Sequence, residues 1–158
     1  MVLAAPAGTV PAGRESLPAT TDVNGAFVLT APVDGPVDLG AVSAGYAVAR
    51  ASGVNPADDA DATLTAPRGG RVRITARGTD GKPVAGAFVT CRAVPSFLGS
   101  DMATFLNRPP ATGSDGGSLA GPLAAGSYEC SVTAGKKSVS QAVTVGDGSE
   151  AVVAVVIP

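Results

Sequence analysis

The sequence contains no histidine and no tryptophan, and it has few aromatic residues. Its 158 residues include four Phe and two Tyr. Without His, the chain has no Ser-His-Asp triad, no imidazole acid–base group and no His-ligated metal. Without Trp and with two Tyr, it offers few aromatic faces for a sugar ring. These absences disfavour an enzyme, a cofactor and a carbohydrate ligand.

Charge is also scarce, and no long apolar run is present. The net charge of −2 is too small to favour nucleic acid or an anionic membrane surface as a partner. No apolar run approaches the ~18 residues of a membrane span. The halves differ in sign: residues 1–69 carry three basic and seven acidic residues, and residues 70–158 carry eight basic and six acidic residues. This difference permits contact between the halves.

Glycine and proline are abundant and favour an all-β fold. The chain has 21 Gly and 13 Pro, which interrupt helices but suit the turns between short strands. Ala and Val supply most of the hydrophobic fraction of 45%, so the predicted core consists of small side chains. Low charge together with many apolar residues is opposite to the composition of disordered chains.

The sequence repeats itself with a shift of 91 residues. Three pairs of segments correspond: 21–28 with 112–119, 35–41 with 126–132 and, one gap later, 43–45 with 133–135. The first pair places Asn24-Gly25 on Asp115-Gly116, and such dipeptides supply the positive φ angles of tight turns. We therefore predict two β domains, residues 1–69 and residues 70–158, with turns that are architectural and not chemical.

Alternating apolar residues identify the strands and their buried faces. In RVRITARG, Val72, Ile74 and Ala76 share one face, and the arginines share the other. The closing segment EAVVAVVIP, residues 150–158, is almost wholly apolar, which predicts a strand covered on both faces.

The first copy of the repeat is expected to lack its first strand. The second copy begins with GRVRITARG at residues 70–78, and nothing comparable precedes Met1. Either the chain was cut from a longer protein or the strand arrives from elsewhere, because an incomplete sandwich exposes an edge that another chain can fill.

Both copies resemble carboxypeptidase regulatory-like domains. The second copy contains GTDGKPVAGAFVT at 78–90 and GSDGGSLAGPLAAGSYECSVTAG at 113–135. The first copy contains TTDVNGAFVLTAPVDGPVDLGAVSAGY at 20–46, which is similar to the middle of such a domain. The second copy departs from the family pattern at three positions, Gly113, Ser118 and Lys136.

The resemblance implies tandem prealbumin-like or immunoglobulin-like antiparallel β-sandwiches. Such domains are non-catalytic attachments of secreted or cell-surface proteins, which implies an extracellular location, with the periplasm as an alternative. The expected function is a structural, adhesive or binding module with a protein partner or neighbouring copies of itself. The alternative is a subunit of an extracellular filament or surface assembly completed by strand donation. A hydrolytic or calcium-dependent enzyme is the third hypothesis.

Cys91 and Cys130 have inward parity on strands that are expected to be neighbours. In an oxidising compartment they would form a disulfide, and closing a loop of about 40 residues contributes roughly 4 kcal/mol. Two buried free thiols are the alternative. Tyr128 before Cys130, and Phe105 after Cys91, also fit an immunoglobulin pattern, although the 38 residues between the cysteines are few for that fold.

Two further segments carry candidate sites. Asp58, Asp59 and Asp61 are weak candidates for calcium ligands, and a solvated loop is the alternative. The repeat does not predict residues 95–110, where Ser100 or Asp101 is expected to cap a short helix. This segment is either a lid over an open end of the sandwich or a loop that binds a partner through apolar side chains. The candidate partner-binding residues are Phe97, Met102, Phe105 and Leu106.

Overall fold

The computed structural model describes residues 1–8, 18–30, 34–58 and 61–158, and within these ranges it confirms the predicted all-β class. One short helix interrupts the strands. The elements are β1 (Val2–Pro6), β2 (Val37–Ala41), β3 (Ala49–Val54), β4 (Gly70–Gly78), β5 (Phe88–Ala93), α1 (Ser100–Leu106), β6 (Gly117–Leu123), β7 (Gly126–Ala134), β8 (Lys137–Val145) and β9 (Glu150–Ile157).

Strands β4–β9 form a two-layered sandwich, called here the C-terminal sandwich. One sheet has the order β6-β4-β9 and the other has the order β5-β7-β8. All pairs are antiparallel except β4 and β9, which run parallel. The parallel pair arises because the chain leaves β8 in one sheet and crosses to the other sheet before it forms β9. The apolar faces of the two sheets pack against each other in one core.

The two faces of β4 are those predicted from its alternation. Val72, Ile74 and Ala76 are completely buried, whereas the arginines of this strand point to solvent. On that outer face Arg73 Nε donates a hydrogen bond of 2.7 Å to Glu150 Oε1 on β9. This carboxylate raises the pKa of Arg73 above its usual value, so the guanidinium stays charged.

The prediction that the final strand is covered on both faces is wrong for the described part of the chain. Val153 and Val155 of β9 lie in the core, but Val152 and Val156 on the opposite face are 66% and 58% exposed. The reason is that no described element packs on the outer face of β9, just as none packs on the outer face of β4.

Strands β1–β3 form an antiparallel sheet, called here the N-terminal sheet, with the order β1-β2-β3. Its central pair has the same arrangement as β5 and β7, since Ala4 lies opposite Leu39 as Cys91 lies opposite Cys130. Thus β1 corresponds to β5, which is the second strand of the C-terminal sandwich. No described residue of the first 69 forms a counterpart of β4.

The Asn-Gly turn has the geometry of its counterpart in the second half. Asp22 N donates to Ala26 O at 2.8 Å, as Gly113 N donates to Gly117 O at 2.8 Å. Gly25 has a φ of 82°, which favours glycine at this corner. The Asp22 carboxylate accepts hydrogen bonds from two backbone amides of the turn, so this side chain stabilises the turn.

Candidate functional site

Residues 95–107, called here the bridging segment, connect the C-terminal sandwich with the N-terminal sheet. Leu98 is buried and forms a cluster with Leu3 and Ala5 of β1. A side chain at Gly40 on β2 would lie 3.1 Å from the carbonyl oxygen of Leu98, so the glycine permits this close approach. Leu98 therefore covers the face of the N-terminal sheet that points away from its own core.

Hydrogen bonds and one aromatic contact reinforce this junction. The amide side chain of Asn107 accepts a hydrogen bond of 3.0 Å from Gly45 N and donates one of 3.2 Å to Tyr46 O. The Arg50 guanidinium lies 4.3 Å from the centre of the Phe97 ring, in cation–π geometry. The junction thus combines apolar, polar and charged contacts.

The predicted helix is present, but its predicted cap is wrong. Helix α1 begins at Ser100, and its N-cap is Gly99, with φ 81° and no side-chain cap. The Ser100 hydroxyl instead accepts a hydrogen bond of 3.1 Å from Phe97 N, and Asp101 lies in the first turn. Glycine is required at position 99 because of its positive φ and because an added Cβ would lie 2.8 Å from Val42 Cγ2.

The structure divides the four candidate partner-binding residues into two groups. Phe97 is partly buried against Arg50 within the chain. Met102, Phe105 and Leu106 lie on α1 and are exposed, with Phe105 exposed by 74%. Sequence reasoning missed Leu98 and Asn107, whose contacts lie in the other half of the chain. The sequence feature that could have indicated the Leu98 contact is the apolar pair Phe97-Leu98 directly before a glycine.

Beside the exposed helix face, a cavity of about 290 Å³ separates α1 from β5. Its lining residues are Phe88, Thr90, Arg92, Asp101, Thr104, Phe105, Arg108 and Pro109. The Arg108 guanidinium lies 4.1 Å from the centre of the Phe88 ring. The cavity wall therefore carries two guanidinium groups, one carboxylate and two aromatic rings.

Cys91 and Cys130 form a disulfide across directly paired positions of β5 and β7, with a Cα–Cα distance of 4.1 Å. Both residues are buried in the core. The bridge lies within one sheet, whereas the immunoglobulin pattern joins two sheets, so the immunoglobulin interpretation of this pair is wrong.

Tyr128 retains one feature of the immunoglobulin pattern. Its hydroxyl donates a hydrogen bond of 2.9 Å to Ala124 O, four residues upstream, as in a tyrosine corner. Burial raises the pKa of Tyr128 above 10.0, although the positive charge of Arg50 acts in the opposite direction. The buried phenol is therefore held neutral and closes the corner before β7.

The acidic loop is described only in part. Asp59 lies outside the described residues. The Asp58 carboxylate accepts a hydrogen bond from the Asn55 side chain, and Asp61 is exposed. Within the described ranges, no group of three His, Cys, Asp or Glu residues is arranged to hold a metal ion. The calcium site stays a prediction.

One side of the N-terminal sheet carries apolar residues that are only partly covered. Leu29, Ala62 and Leu64 pack against the core of this sheet but remain partly exposed. Leu29, shifted by 91 residues, corresponds to Ala120, and the inward alternation of Ala62 and Leu64 is that of Val153 and Val155 on β9; Ala120, Val153 and Val155 are 1%, 1% and 4% exposed. In the C-terminal sandwich β4 lies between β6 and β9, which carry these three residues.

The corner glycines show the same difference. A Cβ added to Gly116 would lie 2.3 Å from the Ala76 carbonyl oxygen of β4, whereas one added to Gly25 would meet no atom of the described residues within 4 Å. Because the two turns have the same backbone hydrogen bonds, the open space at Gly25 marks the place that β4 fills in the other half. We call the surface formed by residues 26–30 and 61–66 the open face.

Comparisons with known proteins identify likenesses in structure and none in sequence. No helix in the described ranges is long and apolar enough to cross a membrane. No protein-family model matches the chain, and no curated protein matches it. GBS52, the minor pilin of Streptococcus agalactiae, is similar with 16% identity and a TM-score of 0.45, over 99% of this chain and 81% of that chain. The Bacillus anthracis TIE protein is similar with 12% identity and a TM-score of 0.42, over 99% of this chain and 34% of that chain.

Proposed function

We propose that the chain is a non-catalytic structural module of a secreted or cell-surface protein, built from two β domains at residues 1–69 and 70–158. The domains resemble carboxypeptidase regulatory-like domains, and their junction acts as a stiff spacer. The observation that carries this proposal is the insertion of Leu98 into the N-terminal sheet beside Leu3 and Ala5. A flexible linker needs no such apolar contact, whereas a spacer that keeps two domains in fixed geometry does.

The spacer would present the exposed face of α1 to a protein partner. Met102, Phe105 and Leu106 protrude from the junction and are not used by the core. Apolar side chains on a protruding element favour contact with another protein. The Cys91–Cys130 disulfide supports an oxidising compartment, since such bridges persist outside the cytosol.

Distance measurements test the spacer directly. Spin labels are attached to cysteines introduced at Ser52 on β3 and Lys136 between β7 and β8, both exposed, while the native cysteines are bridged. We expect one narrow distance distribution in the parent chain and a broad distribution after Leu98→Asp. The control is Leu106→Asp, which should leave the distribution narrow. A distance distribution of the parent chain that is as broad as that of the Leu98→Asp variant contradicts the proposal.

Thiol trapping tests the compartment. Cells that naturally make the protein are lysed into acid with an alkylating agent, and the mass of the chain is measured. The expected product carries no alkyl group, whereas the same chain made in a reducing cytosol is the control and should carry two. Two alkyl groups on the protein from its own cells would overturn the extracellular assignment.

A second candidate function is a subunit of an extracellular filament or surface assembly in which chains donate strands to one another. The open face favours it, because Leu29, Ala62 and Leu64 pack on a sheet core where no described strand takes the place of the one that buries their counterparts. The distance and thiol experiments above do not depend on this second candidate.

A further inference from the structure

The open face has an unused strand edge as well as unused apolar side chains. In the described part of the chain, residues 27–30 and 61–66 belong to no strand and make no backbone hydrogen bond with another segment. Their counterparts in β6 and β9 pair with β4 along most of their length. Extended backbone with unpaired donors and acceptors beside an apolar surface is a site for strand addition.

We propose that the open face is an acceptor site for one extended strand that a separate polypeptide donates. The donated strand lies between residues 26–30 and 61–66, antiparallel to the first segment and parallel to the second, as β4 lies between β6 and β9. This inference rests on the second function proposed above and specifies the acceptor residues and the chemistry of the donor.

The side chains of β4 define what the donor must carry. Val72, Ile74 and Ala76 alternate on the inner face of β4, and each is fully buried. The donor therefore has three apolar residues at alternate positions, all of modest size. At the end of the strand the donor's backbone meets the Gly25 corner, since in the other half the Ala76 carbonyl oxygen lies only 2.3 Å from where a Cβ on Gly116 would be.

Charge favours a donor with basic residues on its outer face. The N-terminal 69 residues carry seven acidic and three basic residues, and Asp61 lies exposed on the outer face of the second acceptor segment. In the C-terminal sandwich the same side of β4 carries Arg73, which pairs with Glu150. Opposite charges on neighbouring strands stabilise the pairing.

A strand from a separate chain can enter without disrupting any described contact. Met1 is already fixed in the ladder, because its amino group donates to Val42 O at 3.0 Å and its carbonyl accepts from Val42 N at 2.8 Å. The pairing of β1 with β2 therefore extends to residue 1 and does not use the open face. The donor adds a layer on the open face and displaces no strand of the described ranges.

A peptide with the sequence of residues 70–78, GRVRITARG, is the probe. It is labelled with a fluorophore, and its binding to the whole chain is measured by fluorescence anisotropy. The control peptide has the same composition with the alternation shifted by one residue, which moves the apolar residues to the outer face. We expect the shifted peptide to bind at least tenfold more weakly.

Two acceptor variants locate the site. Leu64→Asn should weaken binding of the GRVRITARG peptide at least tenfold, because residue 64 faces the core. The matched control, Thr63→Asn, changes the neighbouring outward residue and should stay within twofold of the parent chain. Equal affinities of the two variants would place the peptide elsewhere and overturn the acceptor site.

A third chain keeps the proposal falsifiable if Leu64→Asn does not fold. A copy of residues 70–87 is fused in front of Met1, in the spacing found between β4 and β5. The fused strand should raise the melting temperature and abolish peptide binding. A fusion that raises the melting temperature, combined with no peptide binding to the parent chain, overturns donation by a separate polypeptide and assigns the place to a segment of the same chain. If the peptide does not bind and the fusion leaves the melting temperature unchanged, the acceptor site itself is wrong. The stiff spacer is tested separately by the distance measurement.

Discussion

At the scale of single residues, hydroxyl groups fix the corners of the C-terminal sandwich. The Thr112 hydroxyl donates to Val84 O at 2.6 Å and accepts from Ala87 N at 2.8 Å, which ties the connection between β4 and β5 to the chain before β6. Tyr128 does the same for the corner before β7. Within the described ranges no buried side-chain nitrogen or oxygen lacks a hydrogen-bond partner. Satisfied polar groups of this kind are costly to disturb.

The phenol of Tyr128 leads to a prediction about alkaline stability. Because burial raises its pKa in the folded state, the tyrosine contributes stability that is present below about pH 10 and is lost as pH rises through the higher folded value. Tyr128→Phe should cost about 1 kcal/mol at pH 7 through the lost hydrogen bond. It should also show a smaller fall in the free energy of unfolding between pH 9 and about pH 11, measured with urea.

The control for this prediction is Tyr46→Phe, which removes a half-exposed phenol of the N-terminal half. It should retain the alkaline loss of the parent chain. If Tyr128→Phe loses stability above pH 10 as steeply as the parent chain, the phenol is not the group responsible.

At the scale of elements, alternation predicts which face is buried, while the packing of other elements decides whether the opposite face is covered. β4 is central and has a strand on either side, and its outer face is basic. β9 has the most apolar sequence of the chain, yet it lies at an edge with one face exposed. Apolar content therefore misled the prediction for β9, because composition carries no information about neighbours.

Substitutions of adjacent valines on β9 test this assignment. Val155→Thr places a hydroxyl in the core and should lower the free energy of unfolding by about 1–3 kcal/mol. Val156→Thr makes the same chemical change on the exposed face and should stay within about 0.5 kcal/mol of the parent chain. Urea unfolding at neutral pH measures both. Similar losses for the two variants would mean that the outer face of β9 is covered in solution.

At the scale of the whole molecule, one apolar side chain couples the two halves. Leu98 comes from the chain of the C-terminal sandwich but is buried with β1 of the N-terminal sheet. Asn107 adds hydrogen bonds to residues 45 and 46 of the other half. Because no strand in the described ranges forms a second layer on the N-terminal sheet, the stability of this sheet depends on the Leu98 contact more than that of a two-layered sandwich would.

We predict that Leu98→Ala loosens the N-terminal sheet selectively. Loss of a buried leucine costs about 2 kcal/mol or more. Amide hydrogen exchange should become faster in β1 and β2 and stay unchanged in β7, which belongs to the other core. Leu106→Ala is the matched control, since residue 106 is exposed, and it should leave exchange unchanged throughout. Equal acceleration of amide exchange in β2 and β7 would show that Leu98 does not stabilise the N-terminal sheet selectively.

The predictions from sequence succeeded where the cause is local. The all-β class followed from Gly and Pro, the buried face of β4 followed from its alternation, and the glycine corner at residue 25 followed from the Asn-Gly dipeptide. The helix at Ser100–Leu106 was also predicted, but its cap was not, because the N-cap is a left-handed Gly99 where an added Cβ would lie 2.8 Å from Val42 Cγ2 of the other half. Only the three-dimensional structure showed which candidate residues of that segment lie at the junction and which are exposed to solvent.

What the sequence by itself determined is the period of each strand, the position of each tight turn and the inward parity of Cys91 and Cys130, since these depend on neighbours along the chain. Only the tertiary structure decided that β9 is an edge, that the disulfide lies within one sheet, and that Leu98 belongs to the other half. It also revealed the open face, because the partial exposure of Leu29 and Leu64 depends on which strands are near them in space.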